Sequence, residues 1–155
     1  MKVIIGSDHA GFSYKTMLIK ELKEQGYEVL DLGTDNGDSE DDYPDHAAEV
    51  ATAVLDKQGD RGILVCGSAV GVSIAANKFK GIRAGVCHDT YSAHQSVEHD
   101  DVNILCLGQR VIGIELAKDI VFTFLNATFS GASRHKRRLE KIFAIENKTM
   151  KEDIL

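Results

Sequence analysis

Short apolar runs alternate with helical patterns along almost the whole chain, and this alternation constrains the fold more than any other feature. The predicted strands are Val3–Ile5, Tyr27–Leu32, Arg61–Cys66, Ile82–Val86 and Ile104–Leu107. The helices that follow them are predicted at Phe12–Gln25, Pro44–Lys57, Ile74–Lys78, Tyr91–Glu98 and Ile114–Leu125. Since parallel strands need helical crossovers, the pattern predicts an α/β fold, a Rossmann-like doubly wound parallel five-stranded sheet, with an extra C-terminal helix near Arg134–Asn147.

Composition limits the classes of protein to which this chain can belong. Its 155 residues are 43% hydrophobic with a single proline, which suits one globular domain over residues 1–155. The formal net charge of -6 argues against a nucleic-acid partner or an anionic membrane surface, and no apolar run reaches the roughly 20 residues of a membrane span. The three cysteines are widely spaced and the N-terminus lacks a signal-peptide pattern, so we expect a cytoplasmic protein.

The third strand leads into a loop that carries a cysteine, two serines and glycines, residues 66–73. In such sheets ligands bind at the carboxyl ends of the strands, and the free N–H groups of the next helix can bind a phosphate or a developing oxyanion. A lone cysteine in a strand is usually just a small core residue, and this explanation suffices for Cys87 and Cys106. Cys66 differs because the helix N-terminus favours its thiolate, which could act as a base or a nucleophile.

Polar side chains also follow the other strands. Asp8 and His9 could contact sugar hydroxyls and an anion, or could be a helix cap and a solvated histidine, and the sequence leaves both interpretations open. Between the fourth and fifth strands, His88, His94 and His99 lack the spacing of metal ligands, so no metal site is expected. His99 is instead a candidate for acid–base chemistry, because it lies at the end of the fourth helix near the fifth strand.

Two arginines of the last helix, Arg134 and Arg138, are four residues apart and share one helix face. Basic helix starts are usually solvated surfaces, but in an acidic protein such a pair also fits a bound phosphate. The sheet does not need this helix, whose apolar residues Leu139, Ile142 and Phe143 could pack on a second subunit. The arginines would then reach the crevice of that subunit.

An ordered set of short segments spans nearly the whole chain. They are Ser7–Gly11, Asp42–Pro44, Cys66–Ser68 with Gly71, Ser73–Lys78, Gly81–Ala84, His99–Asn103, Leu107–Arg110, and Arg134–His135 with Arg138. Together they resemble the ribose-5-phosphate isomerase B family, which also includes galactose-6-phosphate and allose-6-phosphate isomerases. The resemblance implies a cofactor-free aldose–ketose isomerase of the pentose phosphate pathway that acts through a cis-enediolate. It also implies a homodimer with shared active sites, and leaves open whether dimers pair into tetramers.

The resemblance also assigns roles to individual residues. Cys66 would move a proton between C1 and C2 of the open-chain sugar, and His99 would open the sugar ring. Ser68 would stabilise the enediolate oxygen, Asp8 would hold hydroxyls, and Tyr43 would line the pocket. Loop amides would assist at the enediolate, in the segment formed by Gly67, Ala69, Val70 and Gly71. The phosphate would be bound by the cationic side chains of His9, Arg110, Arg134 and Arg138.

Two positions depart from the family pattern. Ala69 stands where the family usually has a second loop glycine, and a positive φ there would cost about 1 kcal/mol. Asp100 stands where the family usually has an asparagine, and an ionised carboxylate cannot donate a hydrogen bond to a substrate oxygen. Asp100 could act through its backbone N–H, turn away, be protonated, or indicate a different preferred sugar. Val72 occupies the position of the glutamate base found in one branch, so the chain resembles the cysteine-dependent members.

Other functions are compatible with parts of this pattern. A related hexose-6-phosphate isomerase, acting on allose or galactose 6-phosphate, would differ only in its sugar. A non-catalytic sugar-phosphate-binding protein would use the same crevice, but it would not need Cys66, His99 and the arginine pair together. A dinucleotide-dependent dehydrogenase is disfavoured because residues 6–11 lack the G-x-G-x-x-G pattern.

Overall fold

Within residues 1–38 and 40–150, which the computed structural model describes, five strands form one parallel sheet. The strands are β1 (Lys2–Ser7), β2 (Glu28–Asp31), β3 (Arg61–Cys66), β4 (Ala84–Val86) and β5 (Ile104–Gly108). They lie in the order β2-β1-β3-β5-β4, and every neighbouring pair is parallel. The predicted Rossmann-like doubly wound sheet is therefore confirmed.

Helices connect the strands and cover both faces of the sheet. They are α1 (Phe12–Glu24), α2 (Tyr43–Leu55), α3 (Val70–Ala76), α4 (Thr90–Asp100), α5 (Ile114–Asn126) and the additional C-terminal helix α6 (Ser133–Thr149). A short 3-10 turn, His9–Gly11, precedes α1. In the described ranges we find no helix with the length and apolar character needed to cross a membrane.

The helix after β3 begins earlier than the sequence pattern predicts. The prediction of Ile74–Lys78 is wrong, because α3 begins at Val70 and ends at Ala76. Ala69 has φ +71° and turns the chain directly from the end of β3 into the helix. A left-handed residue makes so tight a turn that Gly71, expected in the loop, lies in the first turn of α3.

Both faces of each central strand are apolar, so helices pack on both sides of the sheet. In β1, Val3 and Ile5 pack with residues of α1, α4 and α5, whereas Ile4 packs with residues of α2 and α3. Cys66 at the end of β3 belongs to the α2–α3 side. The neighbouring strands β1 and β3 thus continue into helices on opposite faces, which opens a crevice between their carboxyl ends.

Gly11 allows the segment after β1 to lie directly against the end of β3. A Cβ atom at this position would overlap the carbonyl of Val65 and would lie 2.8 Å from the backbone nitrogen of Cys66. These obstacles are backbone atoms of a central strand, which cannot rotate away as a flexible side chain would. Only glycine permits this approach.

We predict that Gly11→Ala lowers the free energy of unfolding by about 2–3 kcal/mol, because the added methyl must displace the backbone of β3. Gly85→Ala is the matched control, since a Cβ there would make only ordinary contacts, the nearest being 3.6 Å from Val102. Urea unfolding of both variants measures the difference. Equal stabilities of the two variants would contradict the close approach.

Candidate active site

A cleft of about 340 Å³ lies in the crevice between the carboxyl ends of β1 and β3. Loops that follow β1, β3 and β5 surround it, together with the start of α2. Its lining residues are Asp8, His9, Ala10, Tyr43, Cys66, Gly67, Ser68, Gly71, Arg110 and Val111. The fold therefore brings most of the sequence-predicted site residues from four separate segments into one cavity.

Cys66 lies at the closed end of the loop that joins β3 to α3. Its side chain is 5% exposed, and its Sγ accepts a hydrogen bond from the backbone N–H of Ala69 at 3.0 Å. The carbonyl of Cys66 accepts a bond from the Gln109 N–H at 2.8 Å, which fixes the end of β3 against the loop after β5. The backbone N–H of Ala69 therefore fixes the position of the Cys66 sulfur at the end of β3.

The family resemblance implies that the amides of Ala69 and Val70 are free to bind a ligand. In the structure, both amides already make hydrogen bonds within the loop. The Ala69 N–H is bonded to Cys66, and the Val70 N–H donates to Ser68 Oγ at 3.3 Å. Ala69 is also fully buried, and Val70 is 54% exposed on the outer surface of α3. Their contribution is thus to shape the turn, while the Ser68 hydroxyl lines the cleft itself.

Asp8 fits both interpretations that the sequence left open. One carboxylate oxygen, Oδ1, accepts a bond from the Gly11 N–H at 3.0 Å and caps the 3-10 turn. The side chain is 6% exposed and also lines the cleft. Burial raises the pKa of Asp8, and the bond from Gly11 offsets part of that rise. A single carboxylate can therefore cap the turn and present its second oxygen to a hydroxyl group.

Aromatic and cationic side chains form the other walls of the cleft. The ring of Tyr43 lies against Gly71, where a Cβ atom would come within 2.7 Å of the ring carbons. The guanidinium of Arg110 lies over Gly67, 3.2 Å from the position that a Cβ atom of residue 67 would occupy. The backbone N–H of Arg110 donates a hydrogen bond to the Gly67 carbonyl at 3.0 Å. Glycines in the loop thus let a phenol ring and a guanidinium reach the neighbourhood of Cys66.

His9 supplies a second cationic group at the cleft. Its Nδ1 lies 2.6 Å from Asp41 Oδ1, and the hydrogen bond to this carboxylate raises the pKa of His9. Asp41 is a residue that sequence reasoning missed. Partial burial would raise its pKa, but bonds from the backbone and ring of His9 and from the ring of His46 lower it well below the ordinary range. Its signal in the sequence was only an acidic loop without a recognisable motif.

Four predicted site residues lie away from this cleft. α4 runs antiparallel to the strands and is about 16 Å long, so it carries His99 and Asp100 towards the amino ends of the strands, opposite Cys66. The exposed Asp100 lines a different pocket, beside Arg83 and Ile142. Arg134 and Arg138 lie at the start of α6, which packs against α4. His99, Arg134 and Arg138 thus form a second group around His135, where α4 packs against α6.

The second group is organised around two histidine rings that contact each other at an angle of 31°. The centroids of His99 and His135 are 4.1 Å apart, and Gln95 Nε2 lies 3.0 Å from His99 Nδ1. Arg134 Nε donates to His135 Nε2 at 3.1 Å, so His135 carries its proton on Nδ1, next to Ser130 Oγ. Burial lowers the pKa of His135, and electrostatic interactions with His99, Arg134 and Arg138 lower it further. This patch is rich in donors and suits an anion.

The remaining histidines of the segment before β5 are dispersed. His88 Nε2 accepts a bond from the Gly108 N–H at 3.0 Å, and burial lowers the pKa of His88. His94 pairs with Glu98 at 3.2 Å on the surface of α4. Within residues 1–38 and 40–150, no group of three or more His, Cys, Asp or Glu side chains is arranged to hold a metal ion.

Comparisons with known proteins point to one family. A family profile described as Ribose/Galactose Isomerase matches residues 3–142. Ribose-5-phosphate isomerase B of Escherichia coli (strain K12) is 50% identical, covering 95% of this chain and 97% of that protein. D-erythrulose-4-phosphate isomerase 2 of Mycolicibacterium smegmatis is 40% identical, covering 94% and 97%.

A solved structure extends the similarity to three dimensions. The structure of Clostridium thermocellum ribose-5-phosphate isomerase B is 53% identical and superimposes with a TM-score of 0.92, covering 96% of this chain and 99% of that one. The family profile covers most of the chain, and the E. coli relative is similar over nearly its full length. The chain therefore belongs to the ribose/galactose isomerase family.

Proposed function

We propose that this protein interconverts ribose 5-phosphate and ribulose 5-phosphate, an aldose–ketose isomerisation of the pentose phosphate pathway. The observation that carries the proposal is the cleft itself, in which Cys66 lies beside Ser68 with His9 and Arg110 on the walls. A base next to two phosphate-binding cations is the arrangement that a phosphorylated sugar requires. The 50% identity to an isomerase that acts on ribose 5-phosphate supports this choice of substrate.

In the proposed mechanism the thiolate of Cys66 removes the proton from C2 of the open-chain aldose. The electrons of the broken C–H bond move into the C1–C2 bond, and negative charge develops on the carbonyl oxygen. Ser68 donates a hydrogen bond to this oxygen, and Asp8 holds a neighbouring hydroxyl. The hydroxyl proton on O2 then moves to O1, and the thiol returns its proton to C1 as the carbonyl forms at C2, so that no cofactor is consumed. His9 and Arg110 bind the phosphate and thereby hold C1 and C2 against the sulfur.

We propose further that the active site is shared between two copies of the chain. His99 and the arginines of α6 lie near the opposite end of α4 from the cleft, so a single chain does not bring them to Cys66. A second copy could present this donor-rich patch to the first. The apolar side chains that α3 exposes beside the cleft, Val70 and Ile74, at 54% and 56%, support a contact surface there.

The preferred sugar is tested directly by turnover on a panel of phosphates. Ribose, allose and galactose phosphates distinguish the pentose from the hexose reaction, and D-erythrulose 4-phosphate is included because a 40% identical relative acts on it. We expect the highest kcat/KM on ribose 5-phosphate. Binding of every sugar without turnover would instead favour a non-catalytic binding protein.

We also propose that the protein works in a reducing cytoplasm. Cys66, Cys87 and Cys106 are free and buried, and the mechanism requires that the first of them stay a thiol or thiolate. Burial raises the pKa of the other two thiols, which keeps them protonated and unreactive. Only one of the three cysteines is therefore expected to respond to alkylation.

We predict that Cys66→Ala lowers kcat on ribose 5-phosphate about 10²–10⁴-fold, because the variant lacks the base that transfers the proton. Its KM should change less than about threefold, since the phosphate contacts remain. Cys87→Ala, which alters a buried thiol outside the cleft, is the matched control and should retain activity. A near-normal kcat in Cys66→Ala would eliminate this residue as the base.

We predict that mixing inactive Cys66→Ala with inactive Arg138→Ala restores about a quarter of wild-type activity after subunit exchange. Random pairing makes about half of the dimers mixed, and one of the two shared sites in each mixed dimer is free of both substitutions. A mixture of Cys66→Ala with Ser68→Ala is the control, because both residues belong to one cleft and no site is restored. Absence of recovery after demonstrated exchange would contradict the shared site.

A further inference from the structure

Asp41 makes an unusual pair of contacts with a cleft residue. Its Oδ1 accepts a hydrogen bond from the backbone N–H of His9 at 2.9 Å and another from His9 Nδ1 at 2.6 Å. One oxygen therefore restrains both the backbone and the ring of the same residue. Asp41 itself is not among the residues that line the cleft. It lies behind His9 and can act on a ligand only through it.

These contacts determine which nitrogen of His9 is offered to a ligand. With a carboxylate at Nδ1, the proton on that nitrogen is held by Asp41, and Nε2 is the atom left to face the cleft. Within residues 1–38 and 40–150, Nε2 of His9 has no hydrogen-bond partner. A neutral ring with its proton on Nδ1 would present a lone pair to a phosphate, whereas a doubly protonated ring would present an N–H. The charge of the ring therefore decides whether it attracts a phosphate.

A second histidine supports Asp41 from behind. His46 Nε2 lies 2.8 Å from Asp41 Oδ2, the oxygen that His9 does not use, and His46 Nδ1 lies 3.3 Å from Glu49 Oε2. The same Glu49 oxygen accepts a bond from the backbone N–H of Gly33 at 3.1 Å. Asp41 is thus held by a chain of contacts that begins at the loop after β2 and ends at the cleft. Neither Asp41 nor His46 can rotate without breaking it.

We propose that Asp41, held in place by His46, is a positioning residue that keeps His9 as a cation whose Nε2–H is directed at the substrate phosphate. The proposal rests on the proposed function, because it assigns a positioning residue to His9, one of the phosphate-binding groups of that same cleft. It adds two residues to the site that neither touch the sugar nor follow from any sequence motif. The raised pKa of His9 has the sign that this arrangement requires.

Other charged groups around His9 also affect the pKa of its ring. Besides Asp41, the titratable or charged groups that line the two grooves beside His9 or act on its charge are Asp8, Asp35, Asp38, Glu40, Tyr43, Arg110 and Cys66. The carboxylates act in the same direction as Asp41, and Arg110 acts against them. Among the described residues, Asp41 alone makes a hydrogen bond to the ring, and that bond is the largest single cause of the raised pKa.

Asp41→Asn is the decisive variant, because an asparagine oxygen can still accept both bonds while the negative charge is lost. Because the bond to the Asp41 carboxylate raises the pKa of His9, the wild-type ring keeps its charge to a higher pH than the ring in the variant. We predict a KM for ribose 5-phosphate about tenfold above wild type at pH 8, a ratio near one at pH 5.5, and kcat within twofold of wild type at both pH values. Asp45→Asn removes the same charge from an exposed position on α2 and should match wild type throughout.

Histidine NMR of the ligand-free protein gives the independent test. The pKa of His9 should fall in Asp41→Asn, and inorganic phosphate should shift the His9 resonance less at pH 8 than in wild type. His46→Gln should shift both values in the same direction by a smaller amount, and it serves if Asp41→Asn fails to fold. An unchanged His9 titration, or a rise in KM that is equal at every pH, would overturn the proposal by reducing Asp41 to a structural role. Loss of isomerase activity on every sugar with the NMR result intact would count against the proposed function alone.

Discussion

The site depends on the close approach between the segment after β1 and the end of β3. Gly11 lies against the backbone of Val65 and Cys66, and this contact brings Asp8 and His9 to the same cleft as the sulfur. The adjacent strands continue into helices on opposite faces, so the crevice is a direct consequence of strand order. The loop after β5 donates hydrogen bonds to the carbonyls of Cys66 and Gly67. These bonds hold in place the side of the cleft that carries Arg110.

The negative net charge of the chain does not show that positive side chains are grouped at two places in the structure. The chain carries a formal charge of -6, yet its cleft presents His9 and Arg110, and the patch near the end of α4 presents Arg134 and Arg138. Acidic side chains support the cleft from behind, as Asp41 does for His9. A cation in an acidic protein can thus be held at a cleft by a carboxylate that does not itself line the cleft.

The sheet and the cleft could be predicted because they follow from local patterns, namely apolar strands that end in polar loops. Other features depend on contacts between distant segments. The family pattern raised the possibility of a positive φ at Ala69, but it did not indicate that this turn would start α3 at Val70, four residues before Ile74. His99 lies away from Cys66 because α4 runs antiparallel to the strands. Its last residues are therefore at the amino ends of the strands, whereas Cys66 is at a carboxyl end. The Asp41–His9 bond joins residues 32 positions apart in a loop without a motif.

Solvent isotope exchange tests the central claim, proton transfer from C2 to C1 through an exchangeable base, most directly. When ribose 5-phosphate is incubated with the protein in D2O, a thiol that has taken the C2 proton exchanges it with solvent before returning a hydrogen to C1. Deuterium should therefore enter C1 of ribulose 5-phosphate, as detected by NMR and mass spectrometry. Isomerisation that keeps all of the original hydrogen at C1, or no isomerisation at all, would contradict the account.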